Sequence, residues 1–305
     1  MSMFFECDFD NERYLGFERP VDGEPVRVHR VGAAGAAVWL TAASGDPDEF
    51  RRTVEAACPP VLIPAADRDG LRMRPPLLPA SPSDATLSGF MQTHNVKVTA
   101  PTSSPAAADA EPARPNWFFK GLGHSLRVTG QALTVPGSAV AICEEAEVVL
   151  VYLTDQEGTP RYLGYTFGND LTDIGRFKRN NGHLSYAKLC ECSVAPWLFL
   201  GPPPRSVTGT VAIERAGETA WKGDFRTGLD ALHYELADMM ENLFSFPVLS
   251  EPGRVHYVFI GADRSSFHDG FRIEHGDRIG IDVSSHDVRL SDAVHWAGSP
   301  TTEAS

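Results

Sequence analysis

The stretch CEEAEVVLVYL, Cys143 to Leu153, sets three carboxylates at the head of an apolar run. In an extended chain successive side chains point to opposite faces, so Glu145 and Glu147 share a face with Val149 and Val151. At a same-face spacing of about 6–7 Å, two ionised carboxylates repel by about 1 kcal/mol in water and by several times more in a dry site. A shared proton, a basic partner or a hard divalent cation would each neutralise them. Asp170 ends the strand-like run YLGYTFGND, 170 − 147 or 23 positions later, and is the natural third ligand if that strand returns to the same rim. A solvated strand end is the plainer reading of the same residues.

The elements that would position these groups are short and mostly extended. AEVVLVYL, RYLGYTFGND, SVTGTVAIERAG, VHYVFIG and DRIGIDV are β-type runs bounded by Gly, Asp and Pro. In TGLDALHYELADMMENLF the apolar positions Leu229, Leu232, Leu236, Met239, Met240 and Leu243 follow a helical period and predict one helix packed on a β-rich roll. Nearer the start, YLGFE, EPVRVHRV and AAVWLTA read as strands. GDPDEFRRTVEAAC reads as a helix capped by Asp46, with Pro47 in its first position. The fold class expected is α+β: a small mixed domain over 1–112, a β-roll or sandwich catalytic domain over 113–292, and a disordered tail over 293–305. The Pro-, Ala- and Ser-rich stretches 74–84 and 100–115 flank an island near 84–97 where a lid could sit.

Forty acidic against twenty-seven basic residues give a formal charge of −13, which argues against a nucleic-acid partner. The N-terminal MSMFFECDFDNERYLGF has neither a basic leader nor an apolar core segment, and no run approaches the ~18 apolar residues of a membrane span. A cytoplasmic location without membrane attachment is therefore expected. Five cysteines without regular spacing predict reduced thiols, and the lone Cys190-Glu191-Cys192 is read as packing rather than a zinc site.

Taken in order, PNWFFKGLGHSL, EEAEVVLVYL, GYTFGNDLTD, YAKLCECSVAPW and FRIEHGDRIGID resemble the fumarylacetoacetate hydrolase superfamily, and within it the sugar-acid (2-keto-3-deoxy acid) dehydratase-like branch. The resemblance spans about residues 113–285. It implies Mg²⁺ or Mn²⁺ held by Glu145, Glu147 and Asp170, with Lys188 and Lys120 near a bound 2-oxo acid, and a homodimer. It also implies His94 in the lid as a base. Tyr165 and Asn169 are candidates to orient Asp170 or a water, with Tyr165 reading equally as core, and Tyr165, Asn169, Asp173 and Arg264 are the substrate-binding candidates. Polarisation of a keto group by the cation and stabilisation of an enolate suit this set. Dehydration by a lyase is the expected outcome. Carbon–carbon hydrolysis of an acylpyruvate, a recruited biosynthetic cyclisation or dehydration, and a degenerate binding protein are the alternatives.

The sequence also departs from the family pattern. Ala262 stands where a Thr usually helps to hold the substrate carboxylate, and Arg264 is the candidate replacement. Asp173 persists after the third ligand, but the Arg that usually accompanies it is displaced to Arg176. His124, His183 and His268 have no metal-type spacing and read as structural or supporting residues.

Overall fold

The computed structural model describes residues 2–32, 35–37, 40, 46–98 and 114–298. Among these, two mixed sheets of thirteen and five strands carry most of the chain, as the β-rich runs predict. The larger sheet runs from an edge at Pro60–Ile63 through Val26–Arg30, Glu12–Gly16, Met3–Phe9 and Trp197–Phe199. It continues through Pro160–Asp170, Ala146–Thr154, Val255–Phe259 and Ala85–Met91 to Asn116–Leu122. The smaller sheet orders Glu218–Thr227, Val207–Arg215, Arg278–Val283, Val288–Trp296 and Ala132–Val135.

The strand Ala146–Thr154 is buried on both faces, which explains its nearly unbroken apolar text. Val148 and Leu150 point into a core shared with Val211, Ile213, Ile279 and Leu290 of the smaller sheet. Val149 and Val151 point the other way, toward Leu87, Tyr257 and the helix residues Phe50 and Val54. Glu147 lies in the Val149 row and Glu145 two positions before it, so the pleat aims both at one end of that second core. Burying each valine contributes roughly 1.5–3 kcal/mol, and these contacts fix the register on which the carboxylates ride.

Several expectations need correction. Residues 85–91, placed in a candidate lid by composition, form a buried inner strand paired with Val255–Phe259 and Asn116–Leu122. The first residues do not stand apart either, since Met3–Phe9 pairs with Trp197–Phe199 inside the larger sheet. Ala36, Ala37 and Leu40 are helical where AAVWLTA suggests a strand. There Glu6 Oε1 accepts the Ala36 N–H at 2.8 Å and so satisfies a backbone donor near the start of this segment. Residues 293–296, read as tail, finish the strand Val288–Trp296 beside Ala132–Val135, whereas 299–305 lie outside the described residues. Within the Pro-rich stretch 74–84, Leu77 is buried and donates its N–H to Glu6 Oε2 at 2.7 Å; residues 99–113 lie outside the described residues.

The long helix read over Leu229–Leu243 is shorter than its periodicity. Only Leu236–Phe244 is α-helical, preceded by a single 3₁₀ turn at Leu229–Ala231. The backbone between them is claimed by a neighbour: His233 N–H donates to Thr93 O at 2.7 Å, and Asn95 Nδ2 donates to Leu232 O at 3.1 Å. Tertiary hydrogen bonds thus override the local helical preference. The helix Pro47–Ala57 forms as read, with Asp46 accepting from the N–H groups of Asp48 and Glu49. No helix among the described residues is long and apolar enough to cross a membrane.

Candidate metal centre

Glu145, Glu147 and Asp170 come together as a buried group, with one oxygen from each lying within 4.8 Å of the others. The register places them. Ala146 pairs with Asn169 and Glu147 with Gly168, so Asp170 lies opposite Glu145, and its N–H donates to Glu145 O at 2.9 Å. Two ammonium groups stand against this charge. Lys188 Nζ donates to Glu145 Oε2 at 2.6 Å, Asp170 Oδ2 at 2.5 Å and Thr172 Oγ1 at 2.8 Å. Its three N–H donors are thereby used, and it also lies 4.2 Å from the centre of the Phe118 ring. Lys120 Nζ sits 2.6 Å from Asp170 Oδ1 and donates to Leu171 O at 2.7 Å and Lys188 O at 3.2 Å.

Burial by itself would lower the pKa of both lysines, but Asp170, joined for Lys188 by Glu145 and Glu147, holds them above the usual ammonium value. Burial likewise pushes Asp170 upward, and the two lysines bring it below the ordinary carboxyl range. Among the described residues Glu147 has no ammonium of its own; there it receives only the Gly261 N–H, on Oε2 at 2.6 Å. Burial first, then Asp170 and Glu145, raise its pKa well above that of a normal carboxyl. The question raised by the acidic run thus has a graded answer. Lysines neutralise two of the three acids, and burial with the neighbouring acids favours the protonated form of the third, Glu147.

The donor set fits a hard divalent cation. Asp170 Oδ1 is buried and in ion-pair contact with Lys120, yet it accepts no directed hydrogen bond, and all the clustered ligand atoms are carboxylate oxygens. Glu145 and Glu147 reach the floor of a cavity of about 190 Å³, while Asp170 and the two lysines lie behind them. Phe90, Met91, Ile174 and Phe177 give the cavity apolar walls; Gln92, Lys97, Lys178 and His268 add polar groups. Larger hollows at Asp8–Arg72 and beside the helix Leu236–Phe244 hold no comparably close group of three acids among the described residues.

A 2-keto-3-deoxyarabinonate dehydratase structure superposes with a TM-score of 0.71 at 16% identity, covering 97% of this chain and all of the other. The 2-keto-3-deoxy-D-arabinonate dehydratase complexed with magnesium and 2,5-dioxopentanoate gives 0.66 at 16% identity over 96% and 99% of the two chains. A 2-hydroxyhepta-2,4-diene-1,7-dioate isomerase from Mycobacterium marinum gives 0.62 at 15% identity over 98% and 100%. The chain has the fumarylacetoacetate hydrolase-type fold. No protein-family model and no curated protein matches the sequence. The resemblance read from a handful of motifs is therefore matched by the fold over nearly the whole chain.

Within this fumarylacetoacetate hydrolase-type fold the other candidates separate. Asn169 belongs with the acids: its Oδ1 accepts the Glu145 N–H at 3.3 Å and its Nδ2 approaches Asp292 Oδ2 at 3.5 Å. His94 does not belong. It is buried, its ring nitrogens lie 3.1 Å from Thr93 Oγ1 and 3.0 Å from Thr227 Oγ1, and it borders a different cavity with Arg226 and Asp263. Burial and the charge of Lys97 lower its pKa to about 4, which disfavours its protonated form further. Tyr165 lies on the opposite face of its strand from Asp170, stacked on Phe199 at 5.3 Å in the inter-sheet core.

Asp173 caps the helix Ile174–Arg179, accepting from the N–H groups of Val140, Ala141 and Arg176 and from Arg176 Nε. Its role is to hold that helix, whose Ile174 and Phe177 line the cavity, rather than to bind a substrate. Arg264 is exposed and paired with Asp269 through both carboxylate oxygens, at 2.9 and 2.7 Å, so it does not replace the missing Thr. Lys120 is buried against Asp170 and is not among the residues that line this cavity. All five cysteines are buried free thiols.

Sequence reading missed Thr172, whose hydroxyl donates to Glu145 Oε2 at 3.1 Å, and Gly261, whose backbone supplies the donor for Glu147. Gly261 has φ +100°, and a Cβ there would overlap Thr93 Oγ1, so only glycine fits. Neither carries a motif of its own. The signal for Gly261 was the glycine ending VHYVFIG, which reads equally well as a turn.

Proposed function

We propose that this protein is a divalent-metal-dependent enzyme of 2-oxo acid chemistry, working through the enolate of its substrate and acting as a dehydratase. The observation that carries the reading is the buried Glu145–Glu147–Asp170 cluster at the floor of a small cavity, left one charge short of balance by Lys120 and Lys188. Those three acids would hold Mg²⁺ or Mn²⁺, which when bound polarises a keto oxygen and offsets the negative charge developing there. Lys188, Lys120, Thr172 and the Gly261 N–H set the direction of the carboxylates.

The charge count supports an anionic substrate. Three carboxylates, two ammonium groups and a divalent cation sum to −3 + 2 + 2, or +1, and Lys97 and Lys178 at the cavity add to that positive charge. The cavity volume of about 190 Å³ corresponds to roughly six water molecules at ~30 Å³ each, which suits a small acid. Apolar walls at Phe90, Met91, Ile174 and Phe177 favour a chain with few hydroxyls. The likeness to a 2-keto-3-deoxyarabinonate dehydratase supports dehydration over carbon–carbon hydrolysis as the outcome. The homodimer implied by the sequence resemblance is part of the same proposal.

The test is a Mg²⁺ and Mn²⁺ titration read by thermal unfolding, with and without oxalate as an enolate mimic, on the native protein and on Glu147→Ala. At a ligand concentration of 100 Kd, linkage adds about 2.7 kcal/mol to the native state. Native protein stabilised by the cation, further stabilised by oxalate, and matched by no response in Glu147→Ala is the expected pattern. No response from the native protein would remove the metal-enolate reading. Product analysis then separates the reactions, since dehydration keeps the carbon skeleton and hydrolysis splits it.

A further inference from the structure

Glu144, the first acid of the opening run, is not part of the carboxylate cluster. It is 1% exposed, and its two oxygens are both taken by one residue: Oε1 accepts the Ser266 N–H at 2.7 Å and Oε2 accepts the Ser266 hydroxyl at 2.6 Å. Ser266 opens the 3₁₀ turn Ser266–Asp269, which Gly270 closes at φ 81°. The turn presents His268 to the same cavity that Glu145, Glu147, Gly261 and Ala262 line. A buried carboxylate next to the candidate metal ligands therefore anchors the loop that carries the cavity's only histidine among the described residues.

The surroundings of that ring suit proton transfer. Nδ1 of His268 lies 3.2 Å from the Ser265 N–H, 3.1 Å from the Ser265 hydroxyl and 3.3 Å from the Ser265 carbonyl oxygen. One neighbour only donates, one only accepts and the third does either, so the ring is held whichever nitrogen carries the proton. Glu145 is committed to Lys188 and Thr172, and Glu147 accepts from Gly261. Of the side-chain types left at the cavity, the imidazole is the one that offers both a proton acceptor and a proton donor on one ring. The wall at Gly261–Ala262 has no hydroxyl of its own, and His268 follows within the next loop.

We infer that His268 is the proton-transfer residue of this site and that Glu144, through Ser266, is its positioning residue. The inference rests on the proposed 2-oxo acid chemistry. Nε2 takes a proton from the carbon next to the keto group; the C–H electron pair becomes the C=C bond of the enolate, and the carbonyl π pair moves to oxygen. In dehydration the enolate oxygen pair then re-forms the carbonyl, the C=C pair shifts to make the double bond between the α and β carbons, and the C–O bond to the β-hydroxyl breaks with its electron pair on oxygen. The proton held by His268 completes the departing water.

The experiment is NMR-detected hydrogen–deuterium exchange at C3 of 2-oxobutanoate in D₂O, with the Mg²⁺-loaded native protein, His268→Gln, His268→Ala, Ser266→Ala, Ser266→Thr and Glu144→Gln. Oxalate-linked thermal stabilisation with Mn²⁺ is measured on each. Loss of a general base is expected to slow exchange by about 10²–10⁴-fold in both His268 variants with the oxalate response unchanged, and added imidazole should restore part of the rate to His268→Ala. Ser266→Ala and Glu144→Gln should slow exchange by about tenfold at unchanged oxalate affinity, and Ser266→Thr should retain most of it. Undiminished exchange in His268→Gln, with exchange present in native protein, overturns this inference alone. Absence of exchange in native protein that still binds Mn²⁺ and oxalate overturns the enolate reading and this inference with it.

Discussion

Lys188 and Glu145 form a buried ion pair, Nζ to Oε2 at 2.6 Å, in which the lysine has no N–H left over for a ligand. A lysine so placed holds the carboxylates apart from one another and in fixed directions. Its first contribution is to the architecture of the acidic cluster, and removing it leaves two buried carboxylates short of compensation.

Lys188→Met should therefore destabilise the metal-free protein by about 3–5 kcal/mol, the range for breaking a buried ion pair by deleting one partner. Saturating Mg²⁺ should recover more stability in this variant than in the native protein, because the cation supplies charge that the ammonium no longer does. Chemical denaturation with and without Mg²⁺ checks this; equal metal effects in both proteins would show that the two cations do not share one charge balance.

Gly261→Ala should cost about 1–3 kcal/mol, since a non-glycine residue at φ +100° is strained and its Cβ would overlap Thr93 Oγ1. The Glu147 oxygen that accepts the Gly261 N–H would shift with the backbone. A fall in melting temperature together with weaker Mn²⁺ binding is the expected pair of results, and a loss of stability with unchanged Mn²⁺ affinity would contradict the coupling.

His94→Gln should leave Mn²⁺ and oxalate binding within about twofold of native, because the ring faces Thr93, Thr227 and a separate cavity. The expected cost is in stability, about 1–3 kcal/mol for leaving buried hydroxyl partners unsatisfied. Isothermal titration on the variant decides it, and a large loss of oxalate affinity would return His94 to the site.

Asp292 gives a pH prediction of defined sign. Burial raises its carboxyl from the ordinary 3.8 to about 6, against hydrogen bonds from Ser193 at 2.5 Å and from Asn169. A carboxyl that binds its proton more tightly when folded favours the native state at low pH and loses that advantage as pH rises through its folded pKa. Stability of the metal-free protein should therefore fall between about pH 4 and 6, by at most ~3 kcal/mol from this group. Asp292→Asn should flatten that part of the curve in urea titrations at fixed ionic strength; an unchanged slope would assign it to other acids.

What the sequence disclosed was mostly what a period of two can encode. Glu145, Glu147 and the valines after them could be assigned to one strand face because side chains alternate, and Asp170 could be placed because its run ends in a turn. The β-rich architecture followed from the same alternation. Side-chain direction at loops was not legible. Arg264 and His268 stand four residues apart in one loop, yet the arginine turns out to Asp269 and the histidine turns in to the cavity, a difference set by the Ser265 and Glu144 contacts. His94 was misplaced for a related reason: a run flanked by Pro-rich text looked peripheral, but Leu87 and Phe90 fit two cores and draw it into the sheet. The helix at Leu229–Leu243 was over-read because apolar periodicity does not report a competing backbone partner such as Thr93.

The cavity takes its walls from residues 90–97, 145–147, 174–178 and 261–268, and the strand Met3–Phe9 is stitched beside Trp197–Phe199. Pairings of such separation close slowly along a chain, so the proposed cation site needs the segments through 261–268 to be in place together. The proposed ion binding would thus report the joint assembly of these segments, and a fragment cut between any two of them would lack part of the cavity.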